Sequence, residues 1–166
     1  MTKNNVTIPH NFIPRDYQLP LFQAMDGVEG DLESKCRRAF IMWHRRAGKD
    51  TACTAYIFKE MATTVGQYFY LFPTTTQAKK VIWDNRDMMG MLPGFHDKKE
   101  HGKPGCIIKR VNNVDLTIEL VNGSLFRLVG TDKYDAIMGT NPIGCIFSEY
   151  SLQIPEAWDY IRPILA

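Results

Sequence analysis

Arg38-Ala39-Phe40-Ile41-Met42-Trp43, followed by His44-Arg45-Arg46-Ala47-Gly48-Lys49-Asp50 and then Thr51 to Val65, is the run that decides the fold. Its first part is a short apolar stretch and reads as a buried strand. Its last part, Gly48 to Val65, places Ala52, Ala55, Tyr56, Ile57, Phe58, Met61 and Ala62 on an apolar helical face, and Gly66 ends it. Strand, tight basic turn and helix in that order make a ready anion site. Backbone N–H groups at the helix start point outward, and the helix dipole adds positive potential there. Gly48 lets the backbone come close without a Cβ, Lys49 reaches the outer phosphates, and Arg45 and Arg46 offer bidentate contacts.

The loop departs from the usual phosphate-binding consensus. That pattern asks for Gly where Trp43 stands and for Ser or Thr where Asp50 stands. Gly-Lys alone reads equally as a solvated basic turn, and the flanking strand and helix are what turn the reading toward phosphate.

Outward from this run the same alternation continues. Tyr68 to Phe72 is a second apolar strand, stopped by Pro73. Thr74-Thr75-Thr76 caps a second helix that runs through Ala78, Val81, Ile82 and Trp83 to about Met89. Strand, helix, strand, helix predicts a parallel α/β sheet flanked by helices. Upstream, Asn11 to Met25 has the spacing of a short amphipathic helix, and Gly27 to Glu33 is an acidic turn. Downstream, Gly90 to Gly105 is loop-like. Val114 to Val121 and Leu125 to Val129 flank Asn122-Gly123, a strong hairpin signal. Ile143 to Phe147 is another buried strand, and Pro155 to Ile164 opens a helix.

The strand Ile143-Gly144-Cys145-Ile146-Phe147 runs into Ser148-Glu149. Ligands in open α/β sheets sit at the carboxyl ends of the strands, and nucleotide hydrolysis needs a carboxylate there to orient water. Glu149 is therefore the candidate catalytic acid, against the plainer reading of a surface residue after a core strand.

Composition sets bounds rather than a function. The chain has 166 residues, 45% hydrophobic and 23% charged, with a net charge of +2. So small a charge gives no whole-molecule pull toward nucleic acid. Cys36, Cys53, Cys106 and Cys145 are scattered and read as buried, reduced thiols. No run approaches the ~20 apolar residues of a membrane span. His96, His101 and Cys106 share one charged loop, which reads as solvated rather than as a metal site. Lys98, Lys99, Lys103, Lys109 and Arg110 are the residues there able to touch a DNA backbone. Trp83 and Trp158 read as packing residues.

Taken in order, Tyr17-Gln18, Arg45-Arg46-Ala47-Gly48-Lys49-Asp50, Tyr70-Leu71-Phe72-Pro73-Thr74, Asn122-Gly123-Ser124, Gly130-Thr131-Asp132 and Phe147-Ser148-Glu149-Tyr150 resemble the large subunit of tailed-phage terminases over nearly the whole chain. The resemblance implies a P-loop NTPase of the additional-strand, catalytic-glutamate type, with an inserted β-hairpin. It implies an ATP-driven DNA-packaging motor with ATP and Mg2+ as cofactors. The implied partners are double-stranded DNA, the portal, the small terminase subunit and further copies in a ring, with the host cytoplasm as the setting and no membrane.

Residue by residue, the resemblance makes Tyr17 and Gln18 the adenine-recognising pair and Arg45 an arginine finger in cis. Arg46 becomes a further loop charge, and Ala47, Gly48, Lys49, Asp50 and Thr51 the phosphate loop. Glu149 becomes the catalytic glutamate. Relatives carry Ser or Thr at the Asp50 position and Asp at the Ser148 position. The expectation is a compensating exchange in which Asp50 ligates magnesium and Ser148 stands beside it, with Thr51 as the alternative hydroxyl.

The resemblance also implies that residues 1–166 are a single, partial ATPase domain, incomplete at its C-terminus, without the nuclease. A further strand would lie between the loop strand and the Glu149 strand, and without it the sheet is expected to have open edges. Two other readings stay in view: a helicase-like translocase, and a catalytically inactive fragment that still binds nucleotide or DNA.

Overall fold

The computed structural model describes residues 12–27 and 34–165, so Asn11 and most of the Gly27 to Glu33 turn fall outside them. Three neighbouring strands run parallel: β1 (Gln67–Phe72), β4 (Leu125–Gly130) and β5 (Pro142–Phe147). Two more, β2 (Ile108–Asn112) and β3 (Thr117–Leu120), join antiparallel, giving the order β2-β3-β4-β1-β5. The expected parallel sheet is therefore a mixed one. The hairpin is not a separate insertion, because its second strand, β4, pairs with β1 along the whole length of β1.

β1 shows why the sheet takes helices on both faces. Phe69 to Phe72 are all at most 2% exposed, and period-two alternation sends them to opposite sides. Tyr68, Tyr70 and Phe72 join the larger core with Phe126 and Leu128 of β4 and with Phe58 and Met61 of α2 (Lys49–Thr63). Phe69 and Leu71 join the smaller core with Val129, Ile137 and Ile161, the last on α5 (Pro155–Ile161). Phe58 meets Phe126 edge-on at 5.4 Å between ring centroids. Aromatic pairs of this kind contribute roughly 1 kcal/mol beyond area burial.

The helices follow their caps. The Thr74 hydroxyl accepts from the Gln77 N–H and starts α3 (Thr75–Ala78). A π-helical stretch, Lys79–Trp83, continues it, then the chain breaks at Asp84. Asn85 accepts from the N–H groups of Asp87 and Met88 and starts α4 (Arg86–Gly90). One expected helix is thus two, because an asparagine side chain competes for the backbone donors. Upstream, α1 (Leu19–Asp26) begins later than expected, with Pro20 in its first turn. The turn between β3 and β4 also has a capping role: Ser124 Oγ and Asn122 Nδ2 donate to the Met61 carbonyl at 2.6 and 2.8 Å, satisfying the end of α2.

The largest departure lies in the run that decides the fold. Arg38 to Trp43 is extended but forms no strand, and Phe40 and Met42 are 77% and 82% exposed. A strand is held by its ladder, and among the described residues none pairs with this segment. β5 is β1's second neighbour and, among the described strands, ends the sheet on that side. Cys36 is exposed, not buried as expected, while the other three cysteines are partly covered and all four are free. No described helix is long and apolar enough to cross a membrane.

Candidate functional site

The carboxyl ends of β1, β4 and β5 lie together because the three strands are parallel. Facing them is the start of α2, reached through the turn at Arg45 to Ala47. Arg46 has φ of +64° and Gly48 has φ of +74°, so the turn carries two left-handed residues. Gly48 tolerates that conformation freely, and a Cβ there would meet Gln18 Nε2 at 3.2 Å.

Sequence-distant groups converge on this turn. Tyr17 Oη and Gln18 Nε2 both donate to the Ala47 carbonyl at 2.9 Å. Gln18 Oε1 accepts from the Arg15 N–H at 3.0 Å, and Gln18 is only 2% exposed. Both ends of its amide are therefore engaged inside the chain, which ties the segment before α1 to the turn. Among the described residues, one N–H and one lone pair of that amide find no further partner. Phe12, Ile13, Arg15, Gln18, Gly48 and Thr51 line a cleft of ≈ 340 Å3 beside it. That volume falls in the range of small-ligand sites, roughly 300–1,000 Å3. Lys49 Nζ donates to the Trp43 and His44 carbonyls at 3.0 and 3.3 Å, closing the loop on itself. Arg45 and Arg46 are exposed.

Asp50, in the first turn of α2, links the turn to the strand ends. Ser148 Oγ donates to Asp50 Oδ1 at 2.7 Å across a separation of 98 residues. Tyr70 Oη donates to the same oxygen, also at 2.7 Å. Burial, then the charges of Cys53 and Asp50, pushes the Tyr70 hydroxyl well above its ordinary 10.0, so it stays protonated and remains a donor. Glu149 follows Ser148 directly, is exposed, and has φ of +52° and ψ of +48°. A non-glycine residue in that region carries local strain, and such residues cluster at functional sites. Gln153 Nε2 donates to the Leu71 and Ser148 carbonyls at 3.0 and 2.5 Å and fastens the end of β5 to β1.

The residues read from the sequence thus fall into one region: Tyr17 and Gln18 on the turn, Lys49 and Asp50 in it, Ser148 and Glu149 opposite. Tyr70 and Gln153 were not among them. Tyr70 sits on the face of β1 that looks toward α2, and only strand parity together with the helix placement reveals that. The charged loop stands apart. His96 and His101 pair with the carbonyls of Arg86 and Gly94, and no cluster of three or more His, Cys, Asp or Glu side chains able to hold a metal occurs among the described residues. Lys103 pairs with Glu100, while Lys109 and Arg110 both pair with Glu119, so three of its five cations already have acidic partners.

The architecture defines a class first: a mixed α/β sheet with a candidate ligand site at the carboxyl ends of its parallel strands. Among solved structures it matches the large terminase ATPase domain of Thermus phage P74-26, with a TM-score of 0.65 and 18% identity over 94% of this chain. An arginine-to-alanine variant of that domain matches with a TM-score of 0.67 and the same identity. The chain has the fold of a phage large terminase ATPase domain and spans about three fifths of it, 61% and 62% of the two neighbours. No protein-family model and no curated protein matches the sequence.

Proposed function

We propose that this chain is a single, partial ATPase domain of a phage DNA-packaging motor, of the P-loop type. On this reading it binds ATP between the Arg45–Thr51 turn and the ends of β1 and β5. The observation that carries the reading is the Asp50–Ser148 hydrogen bond. It joins the helix start that would receive phosphates to the strand end that presents Glu149. Tyr17 and Gln18 border the cleft suited to the base, and Lys49 exchanges its loop carbonyls for phosphate oxygens. Arg45 and Arg46 stabilise charge on the transferring phosphoryl group, and Glu149 orients the attacking water.

The donor set suits magnesium. Asp50, Ser148 and Glu149 offer only oxygens, as a hard cation requires, and Asp50 Oδ2 accepts no hydrogen bond from the described residues. Asp50 and Ser148 would hold the ion, which supplies charge neutralisation on the phosphates when bound. The partners on this reading are double-stranded DNA, the portal, the small terminase subunit and further copies of the chain, in the host cytoplasm.

Phosphate release by the 166-residue chain, with and without DNA, tests this. Turnover that is abolished by Lys49→Ala and reduced about 100-fold or more by Glu149→Gln is the expected result. Turnover indifferent to both substitutions rules the site out. One observation favours a second reading: Arg38 to Trp43, which leads into the turn, has no ladder partner among the described residues. Such a loop binds nucleotide without the rigidity that catalysis requires. Retained nucleotide binding with no phosphate release would establish that reading instead.

A further inference from the structure

We infer that Tyr70 is a positioning residue for the metal site: its hydroxyl, together with that of Ser148, locks the Asp50 carboxylate so that Oδ2 alone is presented to a divalent cation. The inference rests on the magnesium reading above. Its ground is the convergence of two hydroxyl donors on one oxygen, Asp50 Oδ1, each at 2.7 Å. A carboxylate oxygen has two lone-pair sites, so Oδ1 is filled and Oδ2 keeps both of its own. Two donors from different strands also stop the carboxylate from rotating, since Tyr70 lies on β1 and Ser148 follows β5.

Tyr70 is well suited to that task. It is fully buried on the strand between β4 and β5, and its ring packs on Phe72 at 5.1 Å between centroids. The phenol so held donates its proton to Asp50 Oδ1. An aspartate at a helix start has a longer reach than the serine or threonine usual there and more ways to point. A fixed second partner restores the geometry that the shorter side chain has by default. The plainer account is that Asp50 merely satisfies a buried tyrosine hydroxyl. The two accounts differ in whether metal binding depends on Tyr70.

The test compares nucleotide affinity in magnesium with affinity in EDTA, using a fluorescent, non-hydrolysable ATP analogue and the 166-residue chain. The ratio of the two is the metal-linked gain, and a thermal melt of each variant reports folding. Removing a partner that orients a metal ligand typically costs about 10–100-fold in metal affinity. Tyr70→Phe keeps the ring and its packing, and is expected to cut the gain by roughly tenfold or more while leaving affinity in EDTA unchanged. Asp50→Asn is expected to remove the gain. A gain unchanged in Tyr70→Phe but lost in Asp50→Asn overturns the inference and leaves the magnesium reading standing. A gain unchanged in Asp50→Asn, or absent from the wild type, overturns both. If Tyr70→Phe does not fold, Tyr70→Met, which also lacks the hydroxyl, takes its place, and a gain equal to the wild type's overturns the lock.

Discussion

Glu149 sits in a left-handed conformation that costs a residue with a Cβ roughly 1–2 kcal/mol. It is exposed, and neither a salt bridge nor a side-chain hydrogen bond to it occurs among the described residues, so no contact of its own offsets that cost. The strain is explained if the strand end must aim its carboxylate toward the Asp50 side of the site. Glu149→Gly relieves the strain and gives back part of the gain as unfolded-state entropy. A net stabilisation of about 0.5–1 kcal/mol is expected, together with loss of phosphate release. Chemical denaturation of the variant measures it; a destabilised Glu149→Gly would mean that the side chain holds the fold rather than the chemistry. Asp50 and Gln18 show the other kind of residue-level economy, each fixed by partners far away in sequence.

At the scale of elements, what was legible depended on whether the signal was local. The hairpin across Asn122-Gly123, the cap at Thr74 and the helix after Gly48 were written in adjacent residues, and each is present. β2 was not legible because Lys109 and Arg110 give it a charged exposed face, and its pairing with β3 is what makes it a strand. Arg38 to Trp43 failed in the opposite sense: its apolar run signals burial, but burial requires a neighbour. Phe40→Ser is accordingly expected to change stability by no more than about 0.5 kcal/mol, whereas Phe126→Ala in β4 costs about 3–5 kcal/mol. Equilibrium unfolding of the two variants checks this, and a large loss from Phe40→Ser would put that segment back in the core.

The helix and strand that carry partly buried thiols also set a pH limit. Burial pushes Cys53 of α2 and Cys145 of β5 from 9.0 to about 12. The unfolded chain releases these protons near 9, while the folded chain holds them. The folded state then binds more protons, and stability falls as pH rises. The thiols' contribution is expected to be constant below pH 9 and to decline between 9 and 12 by roughly 1 kcal/mol per pH unit for each thiol. Denaturation midpoints across that range test it, and replacing both cysteines by alanine should remove the part of the decline that begins near pH 9, leaving the part above 10 contributed by the buried tyrosine hydroxyls such as Tyr68 and Tyr70.

For the whole molecule, the fold and the site were unequally visible. The ordered motifs implied a terminase-like ATPase fold, and the solved neighbours share that fold at only 18% identity. The site's chemistry was partly visible: Asp50 and Ser148 stood out as exchanged residue types, and the structure brings them within hydrogen-bond distance. Tyr70 stayed hidden because its role depends on which face of β1 meets α2. The molecule's net charge is only +2, and Lys103, Lys109 and Arg110 of the charged loop already have acidic partners.

The central claim is that the Arg45–Thr51 turn and the β5 end form one nucleotide site. Equilibrium binding of magnesium-ATP to the wild type, Lys49→Ala and Asp50→Asn tests it most directly. Saturable binding by the wild type is expected, weakened about tenfold or more in each variant, corresponding to a lost charge-assisted contact of roughly 1.5–3 kcal/mol. Equal affinity in all three chains, or no binding by the wild type, would contradict it.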